Sequence, residues 1–221
     1  MRRIVAAWRA FWFAPAPLVD LGVARAIVAG IFLLLDPRTR YLRVAFIPPP
    51  LWKPLPLVAA LGLPQPGLAT LQWMGVVTTA LLIAAALGVL ARAALTALVP
   101  LVLLQEAWLN SAGKITHGTI PLVWALVFLV LSPCDRRFTV GEAWRRIRGH
   151  GASGPVESGH ARWPLLLVFA EIAAFYCAAG VTKLRTSGLA WADGWTLQYF
   201  LLTAGTPAGL WIAGSRSLCA A

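Results

Sequence analysis

Acidic side chains are scarce in this chain: 8 Asp and Glu stand against 19 Lys and Arg in 221 residues, and only 12% of positions are charged. An ordinary soluble domain devotes about 25% of its residues to charge, so a fully hydrated surface cannot be assembled and a soluble globular protein is excluded. Cysteine is sparse too. Cys134, Cys177 and Cys219 lie far apart without CxxC or Cys/His spacing, which gives neither a disulfide framework nor a metal site. No GxxxxGKS/T or GxGxxG occurs, so a glycine-rich phosphate cradle is missing. What abounds is apolar: 59% hydrophobic residues and a mean hydropathy of +0.75, enough for five or six spans of about 20 residues each. A net charge of +11 would suggest nucleic acid in a soluble chain. Here the arginines cluster between apolar runs and read as membrane flanks facing anionic lipid, so lipid and not nucleic acid is the expected partner.

Five runs approach spanning length: residues 18–35, 68–91, 93–109, 119–131 with their flanks, and 164–181. The first follows Arg2, Arg3 and the aromatic stretch Trp8, Phe11, Trp12 and Phe13, the pattern of an interfacial helix leading into a span. Asp20 and Arg25 inside it, and the absence of a small-residue cleavage site, argue against a signal peptide. A sixth run, 195–213, is interrupted at Thr203-Ala204-Gly205-Thr206-Pro207 and reads as an interfacial or re-entrant helix with a turn, or as a sixth span. Basic residues favour the cytoplasmic side. Arg2, Arg3, Arg9, Arg92, Arg136, Arg137, Arg145, Arg146, Arg148 and Arg162 fall on one side, which places the N-terminus in the cytoplasm of a multi-pass cell-membrane protein. The proline-rich loop 36–67 is expected outside, irregular apart from a short piece near 57–61, and segment 134–163 is expected as a flexible basic cytoplasmic linker.

Ionisable groups within a bilayer are rare and default to pairing or function. Arg25 and Glu171 fall at similar depth in two outward-running spans, which suggests a structural ion pair between helices, with a proton or ion relay as the alternative. Glu106 lies in the outer half of the third span with Asn110 on the same helical face one turn later, both pointing toward the level of His117 and Lys183. They form a polar cluster near the outer surface, or else a set of unrelated snorkelling and capping side chains.

The most distinctive stretch is Ala179-Gly180-Val181-Thr182-Lys183-Leu184, followed by Trp191, Gly194, Trp195 and Tyr199. With Asn110 and His117 upstream, and Ala14-Pro15 through Arg25 and Gly30 near the start, it resembles the membrane domain of the vitamin K-dependent γ-glutamyl carboxylases and their broader bacterial relatives, the HTTM (horizontally transferred transmembrane) proteins. That resemblance implies an all-α polytopic bundle over residues 1–221, with Lys183 as the base that deprotonates reduced vitamin K or another quinone and His117 assisting. A lysine in an apolar site has its charged form disfavoured, which makes neutral amine available. Trp191, Trp195 and Tyr199, with Glu106 and Asn110, would line the quinone pocket, although interfacial aromatics need no such role. No metal is implied. Thr116 replaces the asparagine that carboxylases carry before the histidine, and the chain stops where relatives continue into further spans and an extramembrane domain, the expected mark of an incomplete domain.

Two functions follow: a quinone-dependent carboxylase or epoxidase-like enzyme, and a non-catalytic module that binds quinone or lipid or assists a partner membrane protein. A secondary transporter is weaker, for want of an inverted repeat.

Overall fold

Backbone amides and carbonyls away from water must be satisfied within the segment that carries them, so apolar runs of this length fold as helices. The computed structural model describes residues 2–113, 115, 117–150, 154–190, 193–215 and 218–219. Its elements are α1 (Arg2–Phe13), β1 (Ala16–Pro17), α2 (Leu18–Leu34), α3 (Pro56–Ala60), α4 (Leu68–Leu87), α5 (Ala91–Leu109), α6 (Ile120–Val130), α7 (Val140–Ile147), β2 (Glu157–Ser158), α8 (Arg162–Ser187), α9 (Trp195–Ala204) and α10 (Pro207–Ala213). The chain divides into two units, Met1–Phe169 and Ala170–Ala221, with the boundary inside α8.

Among the described residues, three helical segments are long and apolar enough to cross a bilayer: Leu68–Leu87, Ala91–Ala112 and Arg162–Ser187. This is what a membrane protein requires. The other two runs read as spans give shorter helices. The 17 residues of α2 rise about 26 Å and the 11 of α6 about 16 Å, against a hydrocarbon core of about 30 Å. Pro121 in the first turn of α6 suits a helix start, and the residues before it lie in turns.

In the first unit α4 packs against both α2 and α5, and α6 closes the group against α5 and α2. Leu18, Leu21 and Phe32 of α2 meet Leu82, Leu95, Leu98, Leu126 and Leu129 in one buried core. A smaller cluster, with Tyr41, Val44, Val58, Leu71 and Trp108, roofs the proline-rich loop, where α3 is the short helix expected near 57–61. At the opposite end β1 pairs antiparallel with β2, Ala16 opposite Ser158. Segment 134–163, read from sequence as a linker, carries α7 and β2 in its described part.

Arg25 explains how that segment is held. Fully buried on α2, its guanidinium donates to the carbonyls of Cys134 and Phe138 in the turn after α6. Two glycines permit the approach. A Cβ at Gly22 would run into the Arg137 carbonyl, and one at Gly88 would sit 2.9 Å from an Arg25 nitrogen, at φ +74 where side chains are strained anyway. The charge is thus solvated by backbone dipoles, which offsets its desolvation cost.

In the second unit the sixth run breaks at Gly205, φ +65, into α9 and α10. Thr206 caps α10 by accepting from the Gly209 amide at 3.1 Å, and Gln198 donates to the Ala213 carbonyl at 2.7 Å. The break falls where the sequence placed it.

Candidate functional site

A buried carboxylate organises the end of the first unit that holds the proline-rich loop. Glu106, on the last turn of α5, is 8% exposed. Tyr41 donates to its Oε1 at 2.9 Å and Arg40 to the same atom at 3.3 Å, while Thr119, just before α6, donates to Oε2 at 2.9 Å. Arg40 and Tyr41 reach it because the chain turns sharply after α2, with Asp36 at φ +48. The ion pair is almost dry, with side-chain exposures of 17% and 10%, and extra hydrogen bonds are what such a pair needs to offset desolvation. Burial first, then the neighbouring Glu106 carboxylate, push the Tyr41 phenol far above its ordinary range, so it stays a donor. One turn on, the Asn110 amide donates to the Glu106 carbonyl at 2.8 Å. On the adjacent position of α5, Gln105 accepts from Thr78 of α4 at 3.1 Å.

Above this cluster lies a cavity of about 360 Å³ between α5, α6 and the loop around α3. Its walls include Leu57, Leu103, Val123 and Trp124, and Glu106, Asn110 and Thr119 supply its polar floor. Trp124 is half-exposed and stacks on Phe128 with ring centroids 6.0 Å apart. A carboxylate has about four lone-pair sites. Three donors occupy Glu106, two on Oε1 and one on Oε2, which leaves capacity for one more hydroxyl at the cavity floor.

Of the residues singled out from sequence, Glu106 and Asn110 belong to this cavity. His117 is exposed and its carbonyl accepts from the Ile120 amide at 3.2 Å, two residues before Thr119. Lys183, Trp195 and Tyr199 belong to the second unit: Lys183 is exposed near the end of α8, while Trp195 opens α9 and its backbone amide donates to Asp193 Oδ1 at 2.9 Å. Tyr199 is exposed and meets Phe200 edge-on. Trp191 lies outside the described residues. Arg25 has its partners within the first unit, and Glu171, read as its ion-pair partner, lies on α8 in the second.

No family model, curated protein or solved structure matches this chain.

The resemblance carried by Ala179–Leu184, together with Asn110, His117 and the segment from Ala14 to Gly30, therefore rests on the sequence motifs and not on any of these comparisons. Among the described residues no group of three His, Cys, Asp or Glu is placed to hold a metal. Sequence reasoning missed Arg40, Tyr41 and Thr119. Arg40 reads in sequence as one more basic flank, and nothing in a proline-rich loop announces that its one tyrosine, Tyr41, turns inward.

Proposed function

We propose that this is a multi-pass membrane protein whose first unit binds a lipid-soluble hydroquinone in the cavity between α5 and α6. The observation that carries the reading is an apolar cavity, within the roughly 300–1,000 Å³ usual for small-molecule sites, floored by a buried carboxylate with one acceptor position left. A ring flanked by Leu103, Val123 and Trp124 would place one hydroxyl on Glu106. Reduced quinone fits this polarity and oxidised quinone does not, because a carbonyl brings no proton to a carboxylate. The topology proposed with it has five spans and the hairpin of α9 and α10, the arginine-rich end and N-terminus being cytoplasmic.

The AGVTKL stretch supports a finer version, an HTTM-type enzyme related to the γ-glutamyl carboxylases, in which Lys183 is the base and His117 assists. Photo-crosslinking of the purified chain with an azido-quinone, reduced and oxidised, tests the binding reading: labelled peptides from α5 and α6 are expected with the reduced probe, and labelling confined to other segments overturns it. Epoxide formation from reduced vitamin K and oxygen, abolished by Lys183→Ala and His117→Ala, separates enzyme from module. No turnover by wild-type protein that binds the hydroquinone overturns the enzyme version.

A further inference from the structure

A second cavity, of about 580 Å³, lies at the arginine-rich end of the first unit, beside Val19 in the first turn of α2 and Leu87 at the end of α4, under α7. The orientation of α7 is the reverse of what water would impose. Its one carboxylate, Glu142, is turned into the protein and buried, whereas Val140, Trp144 and Ile147 are turned outward, Ile147 at 77% exposure. A helix that buries its one carboxylate and turns apolar side chains outward beside two exposed arginines suits the boundary of an apolar, anionic surface.

The charges at the cavity do not balance. Arg137 donates to Glu142 Oε1 at 2.8 Å and Arg146 donates to the same oxygen at 2.9 Å. Two guanidinium groups on one carboxylate leave an excess positive charge. Arg137 is buried and spends its other nitrogens on the carbonyls of Gly154 and Pro155. Arg146 has a side chain 64% exposed and lines the cavity beside Val19, Leu87, Val140 and Val156. The surrounding segment carries the same sign: between residues 134 and 163 there are Arg136, Arg137, Arg145, Arg146, Arg148 and Arg162 against Asp135, Glu142 and Glu157, and Asp135 is paired with Arg92 at 3.0 Å. Arg148 lies over the Trp144 ring at 4.7 Å, which keeps a second cation at the level where an aromatic side chain meets the membrane interface.

We propose that this cavity holds one anionic phospholipid, an acyl chain lying among Val19, Leu87, Val140 and Val156 and the phosphate bound by Arg146 of the Arg137–Glu142–Arg146 triad. A ligand both apolar and negative fits best, because most of the wall is apolar and the exposed charged side chain on it, Arg146, shares its carboxylate with a second guanidinium. Arg146 gives the phosphate a charge-assisted hydrogen bond, and α7 with its outward Trp144 and Ile147 lies in the same leaflet. This site is separate from the hydroquinone cavity and does not depend on that reading.

The test uses the full chain in neutral detergent, offered phosphatidylglycerol and phosphatidylcholine of identical acyl chains at equal concentration, with retained lipid counted by native mass spectrometry. Both lipids offer Arg146 a phosphate, but the choline cation of phosphatidylcholine cancels that charge and faces the arginines as a like charge, so phosphatidylglycerol is expected to be retained about ten-fold more. R146Q should bring it to the phosphatidylcholine level and R146K should restore part of the preference. R145Q, which alters a cation outside the cavity, should leave the preference intact, and L87W, which fills the cavity, should lower retention of both lipids. Equal retention by wild-type protein, equal losses in R145Q and R146Q, or displacement of the lipid by millimolar inorganic phosphate or by a free fatty acid would each overturn the proposal.

Discussion

Glu106→Leu is the substitution that loads the structure most heavily. It removes the one acceptor shared by Tyr41, Arg40 and Thr119. Tyr41 and Thr119 are 2% and 4% exposed, so their hydroxyls have no water to turn to, and each stranded donor costs about 1–3 kcal/mol. Breaking a buried ion pair from one side costs about 3–5 kcal/mol. Arg40 is 17% exposed at its side chain and can swing its charge toward solvent, which discounts the pair term. A total of about 4 kcal/mol is a fair sum, worth roughly 8–16 °C in Tm for a domain of this size. Tyr41→Phe removes one donor and leaves the carboxylate two, so its expected cost is smaller, about 2 kcal/mol. Thermal unfolding in detergent, followed by circular dichroism, reads both, and the double variant should lose less than the sum because the two groups serve one bond. Glu106→Leu melting within about 2 °C of wild type, less than about 1 kcal/mol, would refute the picture of a buried carboxylate that organises the loop.

Other outcomes follow from the charges at the arginine-rich end of the first unit. Burial by itself would raise the Glu142 carboxyl, but Arg137, the Phe138 amide and Arg146 outweigh it and hold it below its ordinary value of 4.5. A depressed folded-state pKa gives stability that is complete above the ordinary carboxylate range and is lost as pH falls through the folded value. Wild-type Tm should therefore drop on acidification below about pH 4.5, and Glu142→Gln should flatten that limb. Arg25→Met should destabilise by about 3 kcal/mol through two stranded carbonyls. Glu171→Gln tests the ion pair read from sequence: a matching loss supports it, and an unchanged Tm shows that the carbonyls of Cys134 and Phe138 suffice.

The parts of the fold written in local pattern were legible. Long apolar runs located α4, α5 and α8, with α5 within two residues, α4 four residues shorter than its run and α8 six residues longer at its end, and the Thr-Ala-Gly-Thr-Pro interruption marked the turn between α9 and α10, because hydrophobic length and turn chemistry act within a few residues. Glu106 and Asn110 also stood out, as polar groups in an apolar helix must. Their partners did not. Tyr41 and Arg40 reach Glu106 from 65 and 66 residues away, a pairing set by how the loop folds over α5 and not by any spacing. Arg25 drew attention to a carboxylate partner, yet its hydrogen bonds go to carbonyls, which every residue owns and no sequence pattern flags. The outward apolar face of α7 was hidden for a similar reason: periodicity reveals that a helix is two-faced, and only its packing reveals which face turns in.

A hydroquinone site at Glu106, as proposed, prefers a ligand that donates a proton to one that cannot. Quenching of tryptophan fluorescence on titrating a short-chain naphthohydroquinone and its oxidised form, under anaerobic conditions, measures this directly, with Val123→Trp as the filled-cavity control. One hydrogen bond to a carboxylate is worth about 1.5–3 kcal/mol, so the reduced form should bind roughly 10- to 150-fold more tightly. That preference should vanish in Glu106→Leu, and Val123→Trp should abolish binding of both forms. Equal affinity for the two oxidation states in wild-type protein, or a preference that survives Glu106→Leu, would rule out hydroquinone recognition by this carboxylate.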